Sequence, residues 1–475
     1  MKSILIGNGL NIQFGKNAYS NDFIMKRIKY RINAGYYSAL FNNTITSSQL
    51  LGVFDGFVEM ANDITDNKYD VYVDNEETQE ALEDFKRRYK VKIIDIHEIM
   101  LEDWFFLLHI FYLKNSDIAN ITSTSKQGFE KLILDAIYNN GNIQDIHNNM
   151  NKKVKRYFSS FDNIFSLNYD NNIESLTGKI VSHLHGDFSV LANSENIDNV
   201  LGFIRAAKNT RVIVDGMEHS FCNALLNYSG KLKMSMADAN HNLILEAEKI
   251  IHMFKTDEAY KSQLLNASAE NSIGYEMILT KINHPELNMA TEYYFDNFRN
   301  IEDELHIVGM SPNNDSHIFE CINNNDKLKK VYLYCYSDKE REYIDKNFPD
   351  KLYESRSVSD LWRGLEANHP KFNCNYTIPD KIDLFISCFN AFSGDIVLKE
   401  QIVKEVNTIP QYEMDRLCIL VKKDMIRTNP RNKIIKEEDL KKSFASISYI
   451  ALQEGILPST LYMIVTMNFK KLKDV

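Results

Sequence analysis

Short apolar runs recur along this sequence and are separated by longer segments with helical spacing. The runs are rich in β-branched or aromatic residues, and most of them stop at a glycine, an asparagine or a histidine. The predicted strands are KSILI (2–6), NIFSL (163–167), KIVSHL (179–184), LHIV (305–308) and KVYLYCY (330–336), with a short last one at Leu352-Tyr353. Strands that alternate with helical segments predict a parallel sheet covered by helices.

Apolar residues at helical spacing dominate two long stretches between these strands. The first runs from about residue 22 to residue 160, and the second from about residue 217 to residue 297. In the second stretch Leu243, Ile250 and Phe254 lie on one apolar stripe. The predicted fold class is therefore α/β, a Rossmann-like parallel sheet with helical insertions.

Proline and charge mark a boundary near residue 370. All eight prolines lie at or beyond Pro285, and His369-Pro370 opens a polar stretch that ends at Pro379. Residues 371–475 carry 16 basic and 13 acidic side chains, whereas the whole chain has a net charge of −10. We predict a first domain over 1–370 and a C-terminal helical domain over 371–475 that serves assembly or regulation.

Composition argues against several classes of protein. A net charge of −10 has the wrong sign for a general nucleic-acid binder, so no direct contact with nucleic acid is expected. The strongest apolar run, Trp104 to Leu113, has ten residues, against the roughly 20 that a membrane helix needs. The first apolar run reaches Gly7 too soon for a signal peptide. A cytoplasmic protein without a membrane partner is expected.

Polar residues follow the predicted strands where parallel strands end together. The turn from Gly7 to Asn11 has glycines that let the backbone approach a phosphate. Asn168 and Asp170 place an amide and a carboxylate two residues apart after the second strand, and a polar loop begins at Gly309. Each segment alone is also an ordinary turn or helix cap. Because ligands bind at the carboxyl ends of parallel strands, their shared placement favours a site.

Two histidines end the third predicted strand. His183 and His185 alternate along it and so share a face, which makes a metal pair conceivable. Since no third ligand follows at a suitable spacing, we expect one catalytic histidine and one packed histidine, and no metal. Histidine is the natural general base near neutral pH.

The ordered segments GNGLN, SLNYD, SHLHG and VGMS resemble the sirtuin-like NAD-binding fold. They are most similar to the bacterial sirtuin-like abortive-infection proteins that deplete NAD during phage infection. The resemblance covers roughly residues 1–360 and is carried by about 25 of them. Its specific part is the pair of NYD and HG strand ends.

The resemblance implies a role for each matching residue. It assigns catalysis to Asn168, which orients water at the reacting ribose carbon, to His185 as base, and to Asp170 near the nicotinamide amide. The remaining residues expected to contact NAD are Gly7, Asn8, Gly9, Asn11, Asp22, Tyr169, Gly309, Ser311, Asn314 and Asp315. Asn11 departs from the family pattern, in which serine is usual.

One further departure separates the activities within the resembled family. Its protein deacylases carry a four-cysteine zinc module between the HG strand end and the late loop. Between Gly186 and Gly309 this sequence has only Cys222, so that module cannot form. Water is then the expected acceptor, and the resemblance implies an NAD⁺ glycohydrolase with NAD as substrate and no metal.

Other functions stay open at the level of sequence. They are a non-catalytic NAD- or nucleotide-sensing module, a protein deacylase or ADP-ribosyltransferase, and an α/β enzyme of another class. The resemblance further implies a homo-oligomer, a HerA-type ATPase or another defence protein as partner, and a role in anti-phage abortive infection.

Overall fold

A computed structural model gives the fold of most of the chain. It describes residues 1–33, 35–73, 75–93, 96–115, 122–192, 202–204, 214–227, 230–266, 273–311, 315–348, 352–367, 409, 411–428, 443, 447, 450–451 and 458–468.

A six-stranded sheet organises the first part of the molecule. Its strands are β1 (Lys2–Ile6), β2 (Asn163–Ser166), β3 (Ser182–His183), β4 (Asp303–Val308), β5 (Leu328–Cys335) and β6 (Tyr353–Ser357). All neighbouring strands are parallel, in the order β3-β2-β1-β4-β5-β6. This is the doubly wound order of Rossmann-like folds, so the predicted parallel α/β architecture is confirmed.

Helices fill the stretches between the strands, as the helical spacing predicts. Between β1 and β2 lie α1 (Gly9–Gly15), α2 (Asn21–Asn33), α3 (Ser47–Thr65), α4 (Glu76–Arg88), α5 (Asp103–Lys114), α6 (Thr122–Tyr138) and α7 (Lys152–Ser159), and α8 (Asn172–Thr177) follows β2. Between β3 and β4 lie α9 (Lys231–Thr256), α10 (Glu258–Asn266), α11 (Ile273–Asn283) and α12 (Phe295–Arg299). The later helices are α13 (Ser316–Asn323), α14 (Asp338–Asn347), α15 (Val358–Gly364), α16 (Gln411–Thr428) and α17 (Pro458–Met467).

Strands β2 to β6 differ in their ends from the prediction, and the difference is largest for β3 and β6. The predicted strand at 179–184 pairs only through Ser182 and His183, because Ile180 points to solvent with 91% of its surface exposed. The predicted short strand at Leu352-Tyr353 is longer and pairs with β5 from Tyr353 to Ser357. The apolar pattern therefore located both strands but did not fix their ends.

The sheet core explains why the central strands are apolar throughout. Ile4, Leu5 and Ile6 of β1 are fully buried, as are Leu305 and Ile307 of β4. A strand covered by helices on both faces has no solvent side, so it reads as a continuous apolar run. The first insertion adds an aromatic cluster of its own, in which the Phe54 and Trp104 ring centroids lie 4.9 Å apart.

The chain divides into two compact units. The first comprises Met1–Phe14, Ala39–Asn42 and Val53–Asn368, and contains the whole sheet. The second comprises Gly15–Ser38, Asn43–Gly52 and His369–Val475. Its described part includes α16 and α17, which bury Leu417, Val421 and Leu461 completely. The predicted boundary at His369-Pro370 falls outside the described residues.

Across the described ranges, none of the helices is both long enough and apolar enough to cross a lipid bilayer.

Candidate functional site

Three glycines meet where the strand order reverses, between the ends of β1 and β4. The Gly7 amide donates to the Val308 carbonyl at 2.9 Å, and the Gly9 amide donates to the Gly309 carbonyl at 2.8 Å. A Cβ atom on Gly7 would lie 2.5 Å from the Gly309 oxygen, and one on Gly9 would lie 2.6 Å from the Gly309 Cα. Gly309 itself has φ +77°. Close backbone packing between two turns therefore requires all three glycines.

Asn168 lies at the adjacent strand end and contacts the same turn. Its Nδ2 donates to the Gly7 carbonyl at 3.2 Å, and its backbone amide donates to Ser166 Oγ at 3.0 Å. The residue is 7% exposed. These contacts hold the amide side chain at the carboxyl edge of β1 and β2.

Asp170 joins the loop after β2 to helix α1. Its carboxylate accepts from Asn11 Nδ2 at 2.6 Å, from the Asn172 amide at 3.1 Å and from Asn172 Nδ2 at 2.6 Å. Burial raises the pKa of Asp170, and the three donors oppose that shift. Most lone pairs of this carboxylate are thus taken by the protein, so Asp170 fixes the position of Asn11.

His183 is buried, and both of its ring nitrogens have a hydrogen-bond partner. Its Nδ1 lies 2.9 Å from the Asn168 carbonyl and its Nε2 lies 2.6 Å from Glu174 Oε1. Burial alone would lower the pKa of His183, but the hydrogen bond and the charge of Glu174 outweigh it and raise the pKa to about 9. His183 is therefore a charged side chain that joins β3 to α8 and to the loop that carries Asn168.

His185 contacts a second histidine, His317, from the helix that follows β4. Its Nε2 lies 3.1 Å from the Nε2 of His317, at the start of α13. Burial, with a smaller contribution from Lys233, lowers the pKa of His185 well below its usual range and that of His317 to about 3. Both imidazoles are neutral at physiological pH, so one Nε2 donates and the other accepts.

Charged side chains from the insertions surround this pair. Lys233 of α9 is 3% exposed, and its Nζ lies 3.4 Å from Glu102 Oε1. Burial raises the pKa of Asp315 to about 6. Burial and the charge of Glu102 also raise the pKa of the Tyr169 hydroxyl, whose ring packs 6.0 Å from that of Phe188. The charge of the half-buried Asp315 also acts on the buried Tyr169 hydroxyl.

The loop after His185 is held by backbone packing. Gly186 has φ +81°, and a Cβ there would lie 2.4 Å from the Asn223 carbonyl. The Leu225 amide donates to the His185 carbonyl at 2.9 Å. Asp187 accepts from the Ser189 amide at 2.7 Å. The glycine of the HG strand end is thus required by its neighbours, and it fixes the backbone of His185.

The strand register brings Asn168 and His185 to one edge. Ser166 of β2 and His183 of β3 are direct partners. Asn168 lies two residues after Ser166, and His185 lies two residues after His183. Adjacent strands are about 4.8 Å apart. The structure therefore places the amide and the neutral imidazole on neighbouring strand ends, beside the turn of Gly7 and Gly9.

The remaining expected contacts lie in different places. Asn8 is exposed, and Ser311 is partly buried at the end of the described part of the β4 loop. Asp22 belongs to α2 in the second unit, and its side chain is outside the described structure. Asn314 also lies outside the described residues.

Sequence reasoning missed His317, Lys233 and Glu102. His317 had a signal, because it stands two residues after Asp315 in the loop that follows a predicted strand. Lys233 and Glu102 come from helical insertions, where nothing in the pattern marks them.

Comparisons with protein-family models, with curated proteins and with solved structures found no match to this chain.

Proposed function

We propose that this protein is an NAD⁺ glycohydrolase, which cleaves NAD⁺ to nicotinamide and ADP-ribose. One observation carries the proposal: Asn168 and a neutral, buried His185 lie on neighbouring strand ends. They stand beside the switch point of a sheet in the order β3-β2-β1-β4-β5-β6. In such sheets nucleotides bind in the crevice at that edge.

The proposed chemistry needs little from the protein beyond position and a proton acceptor. The bond between the ribose carbon and the nicotinamide nitrogen breaks, and its electron pair neutralises the cationic ring. Asn168 orients the ribose and the attacking water, whose oxygen bonds to the ribosyl carbon. His185 takes the proton that the water loses. The neutral imidazole has one ring nitrogen that can accept a proton.

Asp170 has a different part in this scheme from the one the resemblance implied. Three donors from Asn11 and Asn172 occupy its carboxylate, so we assign it a positioning role. It holds Asn11 against the loop that carries Asn168. The glycines of the two turns let the backbone at this edge come close to a dinucleotide.

The biological setting rests on the sirtuin-like resemblance. We propose a cytoplasmic enzyme that depletes NAD in anti-phage abortive infection. Its activity is controlled by homo-oligomerisation, by a HerA-type ATPase or by another defence partner. The C-terminal helices, among them α16 and α17, are assigned to that assembly or regulation.

Product analysis with purified full-length protein tests the proposal. We expect nicotinamide and free ADP-ribose in equal amounts, with a loss of at least about 100-fold in Asn168→Ala. Asn324→Ala, which removes an exposed asparagine from the far end of α13, is the matched control and should keep full activity. Full turnover by Asn168→Ala would overturn the assignment.

The same assay separates the other functions. Binding of NAD without nicotinamide release would identify a sensing module. Nicotinamide release with ADP-ribose attached to protein would identify a transferase, and release that depends on an acylated peptide would identify a deacylase.

A further inference from the structure

Three potential ligand atoms converge beside the two strand ends. They are a ring nitrogen of His185, a ring nitrogen of His317 and a carboxylate oxygen of Asp315, and all lie within 4.8 Å of one another; the two Nε2 atoms are 3.1 Å apart. His185 is 3% exposed and His317 is fully buried. The first comes from the loop after β3, and the other two come from the segment that opens α13. The fold therefore brings His317 and Asp315 to His185, whereas the sequence alone paired His185 with His183.

The separations suit one shared ion. Zinc lies roughly 2.0–2.1 Å from an imidazole nitrogen, so two nitrogens 3.1 Å apart would subtend an angle of roughly 95° at the metal. Ligand atoms around one ion are at most about 4.4 Å apart. The three atoms lie within 4.8 Å of one another, so side-chain movements must shorten the longer separations before all three reach one ion.

The carboxylate is available for this role. Within the described part of the chain, no hydrogen bond or ion pair reaches the side chain of Asp315, and Nδ1 of His317 has no partner. Buried polar groups are normally satisfied, so the buried Nδ1 of His317 without a partner, beside the half-buried carboxylate of Asp315, marks this cluster as a candidate ligand site.

The surrounding charge permits a divalent ion. Lys233 is the nearby cation, and Glu102 pairs with it at 3.4 Å. Arg88 is taken by Asp103 and Asp84. Lys233 also acts on Asp315, but since it is paired with Glu102, a divalent ion would add the positive charge that the carboxylates of Asp315 and Glu102 together balance.

We propose that His185, His317 and Asp315 bind one divalent transition-metal ion of the zinc type. A set of two imidazoles and one carboxylate favours zinc and neighbouring transition metals, whereas magnesium and calcium favour oxygen ligands alone. The site leaves a fourth position for water or a small ligand. The proposal stands independently of NAD hydrolysis, because it concerns the binding of the metal alone.

Titration of the metal-free full-length protein with Zn²⁺, in competition with a chromophoric chelator, tests the site. We expect one ion per chain in the wild type. We expect His317→Ala and the isosteric Asp315→Asn to weaken binding by more than the roughly 10–100-fold that a change in a supporting partner costs. His252→Ala removes an exposed histidine from α9 and is the matched control. It should bind as the wild type does.

Co²⁺ substitution gives a second readout that does not depend on a variant. Imidazole and carboxylate ligands predict the visible bands of low-coordinate Co²⁺ without the ultraviolet charge-transfer band of a thiolate. A thiolate band would place the ion on a cysteine such as Cys222 and overturn the assignment. So would the absence of stoichiometric binding in the wild type, or unchanged binding by folded Asp315→Asn.

Discussion

Gly309→Ala is expected to destabilise the first unit strongly. The new Cβ would lie 2.7 Å from the Leu10 amide nitrogen, 2.9 Å from the Gly7 oxygen and 3.0 Å from the Gly9 carbonyl carbon. All three are backbone atoms of one turn, so they cannot move aside without opening the joint between β1 and β4. Overpacking of this kind costs about 1–3 kcal/mol.

Backbone strain adds to the clash. Gly309 has φ +77°, where a residue with a side chain costs about 1–2 kcal/mol. We therefore expect the free energy of unfolding to fall by about 2–5 kcal/mol. Gly178→Ala separates the two terms, because Gly178 has φ +72° but its added Cβ would meet no atom within 4 Å. This control should lose only the strain of about 1–2 kcal/mol.

Urea unfolding followed by tryptophan fluorescence measures the difference. The two tryptophans, Trp104 and Trp362, both lie in the first unit, so the signal reports the unfolding of that unit. Gly309→Ala should unfold at a clearly lower urea concentration than Gly178→Ala. Equal midpoints for the two variants would refute the close packing of the two turns.

Three further predictions follow from single contacts. Asp170→Asn should lower the free energy of unfolding by about 1–3 kcal/mol, because its new NH2 group would face a donor of Asn11 or of Asn172 where a carboxylate oxygen now accepts; unchanged thermal stability would contradict the positioning role of Asp170. Burial lowers the pKa of His306 to about 4, so the unfolded chain binds more protons between about pH 6.5 and 4, and the free energy of unfolding should fall as the pH drops through that window. His306→Gln should flatten this slope in urea titrations, and an equal slope would rule out His306 as its source. If both proposals hold, Zn²⁺ should inhibit nicotinamide release in the wild type much more than in His317→Ala, since an ion on Nε2 occupies the imidazole of the base.

The strands were predictable because strands buried on both faces have continuous apolar sequences. The central strands are covered on both faces, so KSILI and LHIV read as apolar runs, and the polar residues that follow them mark the carboxyl edge. The strand order was not predictable, since it depends on pairing between segments up to about 300 residues apart. Strand ends were also uncertain, as Ile180 shows: it is β-branched yet 91% exposed.

The sequence predicted the edge of the sheet at which the site lies, but not most of the contacts within it. The four segments do gather at one edge, and both histidines of the third strand are buried there. The contact between Gly9 and Gly309 was not visible, because the two glycines lie far apart in sequence and meet only through the pairing of β1 with β4. The same holds for His317, which reaches His185 across the switch point.

Nicotinamide release from NAD⁺ by wild type and by His185→Ala tests the central claim most directly. Both proteins should be shown to fold by tryptophan fluorescence, and His252→Ala serves as the matched control for loss of an exposed histidine. We predict stoichiometric nicotinamide and ADP-ribose from the wild type and the control, and a loss of at least about 100-fold in His185→Ala. Absence of nicotinamide release by the wild type, or undiminished release by His185→Ala, would contradict it.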